Sequence, residues 1–509
     1  MPADSKPSDL TLGVAGAGAM GRGIAQIAAQ AGMRVLLYDL APAAATAARE
    51  ALAATLGGLA AKGKIAQQAA DAAIARIEPV AALAQLAPCD VVIEAIVERL
   101  DAKRELFRAL EGVVGERCIL ASNTSSLSVT EIAAACEKPG RVAGCHFFNP
   151  VPLMKVVEVV DALLTEPWVG DALVRLVERT GHTAVRATDT PGFIVNHAGR
   201  GYVTEALRLA GENIANFAVI DAILREACGF RMGPFELLDL TGLDVSHPVM
   251  ESIYHQYYEE PRYRPSPLAA QRLAGGLLGR KSGRGFYDCP GGKPQAVAPP
   301  PAPQARPARV WVSGARPQLA ARVRELARRL GATLDEGDAP ADDALCVVTP
   351  LGEDASSLAA REGLDPARTV AIDVLCGLDQ HRTLMATPLT SPRVREAARG
   401  LFAADGVPAS LVRDSAGLVA QRVLAQIVNI GCDIAQQAIA RPADIDRAVT
   451  LGLGYPQGPL ALGDALGPGT VLEILANLQD FYGDPRYRPS PWLKRRALLG
   501  ASLLAADAG

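Results

Sequence analysis

The chain has 509 residues, 49% of them apolar, and this length exceeds what one hydrophobic core supports, so about three or four domains are expected rather than a small stapled scaffold. Its 51 basic and 55 acidic residues leave a formal net charge of -4, which provides no broad positive field for a nucleic-acid backbone or an anionic membrane. Partners are expected among small molecules and copies of the chain itself.

Nine cysteines are scattered without a CxxC pair, and Cys89, Cys118, Cys136 and Cys145 fall in apolar stretches where a reduced thiol packs as a small hydrophobe. That usage points to the cytoplasm, and no metal site is expected. The opening MPADSKPSDL is polar and leaves no room for the apolar region of a signal peptide, and no uncharged apolar run reaches membrane-spanning length.

In chain order, Leu10–Ala15 reads as a strand, glycines follow, Met20–Gly32 has helical periodicity, and Arg34–Asp39 is a second β-type run. Strands are then predicted at Asp90–Ala95, Cys118–Ala121 and Val142–Phe147, with a helix through Lys103–Leu110. From Pro191 the periodicity turns helical, with Thr190 as expected N-cap and Pro191 at the first helical position. The stretch Pro290–Ala308, which contains PPPAPQARP, reads as an exposed, semi-rigid linker. Beyond it, Arg309–Ser313, Leu345–Thr349 and Thr369–Val374 read as strands with a helix at Leu319–Leu330, and the turn Ser313-Gly-Ala-Arg-Pro317 lacks the glycines of a dinucleotide site.

The chain also repeats itself. Asp189-Thr-Pro-Gly192 recurs as Asp414-Ser-Ala-Gly417, 225 residues on (414 minus 189). Asp221 and Asp446, Gly233-Pro234 and Gly458-Pro459, and Asp239 and Asp464 keep that offset; Pro261-Arg-Tyr-Arg-Pro-Ser-Pro267 returns one residue out of step at Pro485–Pro491. The expected layout is a Rossmann-like α/β domain over 1–190, an all-α helical domain over 191–289, a linker over 290–308, a degenerate α/β segment over 309–411 and a second helical copy over 412–509.

Several residues carry chemistry. In Gly16-Ala-Gly-Ala-Met-Gly21, Gly16 permits a tight turn, Gly18 lets backbone amides approach a pyrophosphate, and Gly21 allows close helix–strand packing, so the turn with Ala19 and Met20 is a dinucleotide candidate. Asp39 ends the next strand where a carboxylate accepts from ribose hydroxyls, and Leu40-Ala-Pro42 offers no arginine for a 2′-phosphate, which favours NAD over NADP. The polar run Ser122–Leu127 lies at a strand's carboxyl end, where Ser125 suits a substrate hydroxyl and Ser128 with Glu131 reads as a capping box. His146 ends another apolar strand; it is a base for alcohol oxidation or a satisfied core histidine. Glu158, within Lys155-Val-Val-Glu-Val-Val160, needs a partner if buried, and pairing with His146 would supply one; the alternative is a surface glutamate on an edge strand. Asn196, a poor helix-interior residue, either donates to a substrate carbonyl or faces solvent.

With EAIVE (94–98), HFFNP, DTPGFIVN and GRKSGRGFYD (279–288) in the same order, these motifs resemble the 3-hydroxyacyl-CoA dehydrogenase family over roughly the first 290 residues. The resemblance implies reversible oxidation of an (S)-3-hydroxyacyl-CoA with NAD, His146 as base, Glu158 as its partner, and Ser125 and Asn196 positioning hydroxyl and thioester carbonyl. It places Glu98 and Lys103 near the nicotinamide half of the cofactor, assigns Asn123 and Asn149 to the cofactor as well, and makes Lys62 and Lys64 candidates for coenzyme A phosphates. The full layout is similar to the long bacterial form used in phenylacetate and related aromatic degradation, for which 3-hydroxyadipyl-CoA or 3-hydroxybutyryl-CoA is the implied substrate. In the second copy Gln421 replaces Asn196 and Ala416 replaces Pro191, so that copy is expected to lack catalysis and to pack on the first as an internal pseudo-dimer, with a homodimer left open. Rivals are a β-hydroxyacid dehydrogenase, a same-fold enzyme acting on a free acid such as L-gulonate, and a non-catalytic crystallin-like protein.

Overall fold

The computed structural model describes residues 10–295 and 301–507. The polar opening judged to exclude a signal peptide therefore lies, Leu10 apart, outside the described residues, as do 296–300 of the proline-rich stretch. No helix among the described residues is long and apolar enough to cross a membrane. The chain divides into two compact units, one of Met1–His197 with Gln437–Leu453, the other of Ala198–Gln436 with Gly454–Gly509.

The first unit is built on eight strands: β1 (Thr11–Ala15), β2 (Arg34–Tyr38), β3 (Ile77–Val80), β4 (Val91–Glu94), β5 (Ile119–Ser122), β6 (Val142–Phe147), β7 (Val156–Asp161) and β8 (Thr183–Thr188). They lie in the order β3-β2-β1-β4-β5-β6-β7-β8, and every pairing is parallel except β6 with β7. Helices cover both faces, which is why the central strands read as nearly unbroken apolar runs. Ile24 and Ile27 of the helix Ala19–Gln30 and Leu173 of Pro167–Arg179 share one core, whereas Phe107 of Leu100–Glu111 and Ile132 of Val129–Ala133 share the other. The chain leaves β1 for β2 on one side and later for β4 on the other, so the carboxyl ends of β1 and β4 flank the switch point where such sheets bind ligands.

Two sequence expectations change here. Pro191 does not open a helix: Gly192 at φ +78° and Phe193 at φ +48° form a left-handed turn that an α-helix cannot contain, and helix starts only at Val195. The second helical copy is also not packed as one body. Its helix Pro442–Leu453 belongs to the first unit, against β7 and β8, where Thr188 N donates to Ile439 O at 2.9 Å and Gly452 sits so close to Val195 that an added Cβ would lie 3.0 Å from its methyls.

The second unit holds a six-stranded sheet of β9 (Arg309–Val312), β10 (Leu334–Asp335), β11 (Ala344–Val348), β12 (Thr369–Ile372), β13 (Arg382–Ala386) and β14 (Ala409–Arg413), in the order β10-β9-β11-β12-β13-β14. The described end of the proline-rich stretch lies on this sheet's helix Pro392–Phe402, where Arg399 donates to Pro301 O at 2.6 Å. In the same unit the helices Arg200–Gly211 and Ala420–Gln436, one from each repeat, pack so tightly that a Cβ on Gly201 would stand 2.9 Å from Ile427 Cα. The repeated arginines exchange partners across this contact. Arg262 pairs with Asp433 and donates to Arg488 O at 2.8 Å, while Arg486 pairs with Glu205 at 3.1 Å and donates to Pro261 O at 3.3 Å. Between them lies a buried ion pair, Arg422 to Glu205 at 2.7 Å, whose side chains are 0% and 2% exposed.

Burial would raise the Glu205 carboxyl, but Arg422 and Arg486 outweigh it and hold it below its ordinary 4.5. Removing one partner of such a pair leaves an uncompensated charge and costs about 3–5 kcal/mol. Glu205→Ala is therefore expected to lower unfolding free energy by about that amount at neutral pH, read from the urea midpoint. Because the folded-state carboxyl lies below its unfolded value, its contribution is present above pH 4.5 and lost as pH falls through the folded value, so the gap between variant and wild type should narrow on acidification.

Candidate active site

The glycine turn joins β1 to the helix Ala19–Gln30 at the switch point. Gly16 adopts φ +113°, and a Cβ there would meet Ala95 O at 2.4 Å; a Cβ on Gly21 would meet Gly16 O at 1.8 Å. Both glycines are thus required by the protein's own packing. Gly18 is different: an added Cβ would find nothing within 4 Å, and this residue caps a helix that has no side-chain cap and no acid in its first turn. Exposed backbone, a positive helix end and open space above Gly18 and the exposed Ala19 fit a dinucleotide pyrophosphate; the half-buried Met20 packs on the apolar core beneath.

Asp39 sits beside this turn, but its carboxylate already accepts from Ala17 N at 2.8 Å and Ala41 N at 3.0 Å. It therefore braces the turn, and any ribose contact would use its remaining lone pairs.

His146 and Glu158 face each other in register across the antiparallel β6/β7 ladder. Nδ1 lies 2.6 Å from Glu158 Oε2, and the residues are 4% and 0% exposed. A carboxylate only accepts, so Nδ1 donates and the neutral ring presents Nε2 as an acceptor. Glu158 Oε1 accepts from Ile194 N at 2.9 Å and Val195 N at 2.8 Å, both just after the left-handed turn. Three N–H donors satisfy the buried carboxylate, and β7 is interior to the sheet, so the edge-strand alternative falls. Phe148 and Phe193 flank the imidazole with ring centroids at 4.3 and 5.9 Å.

The serine cluster after β5 is brought to the same sheet edge. Asn196 Nδ2 donates to Ser125 O at 3.4 Å, and Asn123 Oδ1 accepts from Phe147 N at 2.9 Å, tying that loop to the end of β6. Glu98 Oε1 accepts from Thr124 Oγ1 at 2.6 Å, Ser125 N at 3.0 Å and Ser126 N at 3.2 Å. Burial would raise Glu98, but the Lys103 ammonium and these donors hold it below its ordinary value. Ser128 accepts from Glu131 N as expected of a cap, while Asp189 takes Ser128 Oγ and the N–H groups of Val129 and Thr130.

Lys103, expected near the cofactor, is 1% exposed and held by Glu94 at 2.6 Å and Glu98 at 3.2 Å, so its amine is engaged inside the protein. Glu94 and Ser122 figure in the sequence only within the motif 94–98 and the polar run 122–127, with no role given to either; the clue was an acid ending the apolar run Val91-Val-Ile-Glu94. Asn149 is exposed and precedes a cis peptide to Pro150. Lys62 and Lys64 are exposed beyond the helix Pro42–Ala61, which follows β2. Among the described residues no cluster of His, Cys, Asp or Glu is arranged to hold a metal.

The second sheet reuses the frame without the His146–Glu158 pair. β12 and β13 are antiparallel and β13 and β14 parallel, as in β6–β7–β8, and Ala386↔Arg413 lies 225 residues beyond Asp161↔Thr188 (386 minus 161). At that offset Thr383 stands for Glu158, and its antiparallel neighbour Asp373, whose N donates to Thr383 O at 2.9 Å, stands for His146. Gln421, in place of Asn196, donates to Pro350 O at 3.0 Å and Asp373 Oδ1 at 3.1 Å and accepts from Gly352 N at 2.8 Å, bridging the loop after β11 to the end of β12.

Residues 11–190 match the family model for the 3-hydroxyacyl-CoA dehydrogenase NAD binding domain, and residues 192–289 and 417–507 match that for the C-terminal domain. A 3-hydroxyadipyl-CoA dehydrogenase of Escherichia coli (strain K12) is 39% identical over 489 residues, covering 96% of this chain and 98% of that protein. A probable 3-hydroxybutyryl-CoA dehydrogenase of Bacillus subtilis is 43% identical over 54% of this chain and 96% of its own length. The crystal structure of a 3-hydroxybutyryl-CoA dehydrogenase from Escherichia coli K12 superposes with a TM-score of 0.84 at 37% identity, covering 96% of this chain and 98% of that one. With its glycine turn, its paired His146 and Glu158 and both domain models matched, the chain belongs to the 3-hydroxyacyl-CoA dehydrogenase family.

Proposed function

We propose that this enzyme oxidises the 3-hydroxyl of an (S)-3-hydroxyacyl-CoA through His146, with 3-hydroxyadipyl-CoA and 3-hydroxybutyryl-CoA as the first substrates to test. The carrying observation is the imidazole fixed through Nδ1 at 2.6 Å from a buried carboxylate, which leaves Nε2 to receive a proton. NAD, bound over the glycine turn, supplies the hydride acceptor. His146 Nε2 takes the hydroxyl proton as the C3–H bond breaks and the C3 carbonyl forms, and it returns that proton in the reverse direction. Glu158 stabilises the imidazolium and prevents the ring from turning. Ser125 and Asn196 orient the hydroxyl and the thioester carbonyl, and Phe148 and Phe193 restrict water beside the ring.

The two substrates follow from the names of the relatives: one that spans 96% of this chain is a 3-hydroxyadipyl-CoA dehydrogenase, while a solved structure of the same span and shorter relatives are named 3-hydroxybutyryl-CoA dehydrogenases. A role in phenylacetate catabolism goes with the first, and a cytoplasmic location is supported by thiols such as Cys145 that serve as apolar core. We read the five-part layout drawn from the sequence as the domain organisation, with the helix Pro442–Leu453 of the second copy packed in the first unit. In it the arginine exchange makes the helical repeats an internal pseudo-dimer, and the second copy, with Asp373, Thr383 and Gln421, does no chemistry.

His146→Gln should lower kcat by about 10²–10⁴-fold while leaving NAD affinity, followed by cofactor fluorescence titration, nearly unchanged. Full activity in that variant would refute the assignment of the base. Across a panel of 3-hydroxyacyl-CoA thioesters and the matching free acids, turnover is expected only with the thioesters; oxidation of a free acid such as L-gulonate at comparable kcat/KM would replace this proposal.

A further inference from the structure

We propose that Glu94 is a positioning residue for the reaction, holding the Thr124–Ser126 loop so that Ser125 meets the substrate hydroxyl; this rests on the role given to Ser125 above. Glu94 ends β4, between the glycine-turn strand and the strand that carries the serine loop, and it is 0% exposed. Two separate routes run from its carboxylate to that loop. Through Oε2, Glu94 accepts from Ser122 Oγ at 2.6 Å, and the same oxygen of Ser122 accepts from Thr124 N at 3.2 Å. Through Oε1 it holds Lys103 Nζ at 2.6 Å; Lys103 holds Glu98 at 3.2 Å, and Glu98 gathers the N–H groups of Ser125 and Ser126 with the hydroxyls of Thr124 and Ser126. The Glu94 backbone adds a third tie, its carbonyl accepting from Asn123 N at 2.8 Å.

Such a cluster is a poor source of stability. One ammonium shared by two carboxylates, with Lys103 and Glu94 almost fully buried, carries a desolvation cost that well-packed apolar side chains of similar volume would avoid. What the charges provide is direction. Each oxygen of Glu94 has fixed donors, Ile96 N at 2.7 Å among them, so the carboxylate cannot rotate without breaking a bond on either route. Displacement of a substrate-orienting group by about 1 Å is enough to cost on the order of 10²-fold in rate.

The test is a double-mutant cycle on the full chain with saturating NAD and 3-hydroxyacyl-CoA. Glu94→Gln alone is expected to lower kcat by about 10–100-fold, and in a Ser125→Ala background to lower it by less than about threefold, because the group it positions is already gone. An unchanged kcat in Glu94→Gln, or the same fold-loss in both backgrounds, overturns the proposal. Ser122→Ala, which cuts one route and leaves the ion pairs intact, carries the same non-additivity test if Glu94→Gln does not accumulate as folded protein. Full activity in Ser125→Ala would instead remove the premise, the role of Ser125, and this proposal with it.

Discussion

The first unit is organised around one buried charge. Glu158 lies in the middle of a valine-rich strand with no exposure to solvent, a position that is tolerable only if every oxygen finds donors. The two solutions come from different parts of the chain. One is the His146 ring on the adjacent strand; the other is the pair of N–H groups at Ile194 and Val195. Each imposes a constraint. The imidazole faces the carboxylate because β6 and β7 are antiparallel, and in an antiparallel ladder paired residues stand directly opposite one another. The N–H pair is delivered by the left-handed turn at Gly192 and Phe193, which ends β8's connection and starts the next helix late. In the first unit the antiparallel pairing and the left-handed turn both bring donors to this acid, and the same pairing and the same turn, at Gly417 and Leu418, recur in the second copy where Thr383 takes its place.

This explains what the sequence did and did not reveal. The central strands, the glycine turn and the demand of Glu158 for a partner were legible, because each is a local contradiction or a local period: a charge among valines, glycines at fixed spacing, apolar runs bounded by polar turns; β3, β8, β10, β13 and β14 were not read. The delayed helix start was not, because Thr190-Pro191 is a sound helix opening by propensity, whereas both copies make a left-handed turn there, at Gly192 and Phe193 and at Gly417 and Leu418. Glu94 was equally hidden. An acid at the end of an apolar strand looks like the first residue of an exposed loop, and its partners Lys103 and Ser122 are separated from it by 9 and 28 residues. The packing of Pro442–Leu453 on β7 and β8 depends on contacts across about half the chain, which no window of sequence contains.

The duplication separates packing duties from chemical ones without recourse to any other protein. Asp189 accepts from Val129 N and Thr130 N, and its counterpart Asp414 accepts from Ala355 N and Ser356 N. Asp239 holds Phe286 N and Tyr287 N, and Asp464 holds Leu503 N. These aspartates persist because both copies have helix starts and returning tails whose N–H groups must be met. His146, Glu158 and Asn196 do not persist; Asp373, Thr383 and Gln421 stand in their places. The replacement is not neutral. Asp373 Oδ1 accepts from Leu375 N and Gln421, but its other oxygen is buried without a partner, and burial raises its carboxyl. The second copy thus keeps its caps and its strand register without the His146–Glu158 pair.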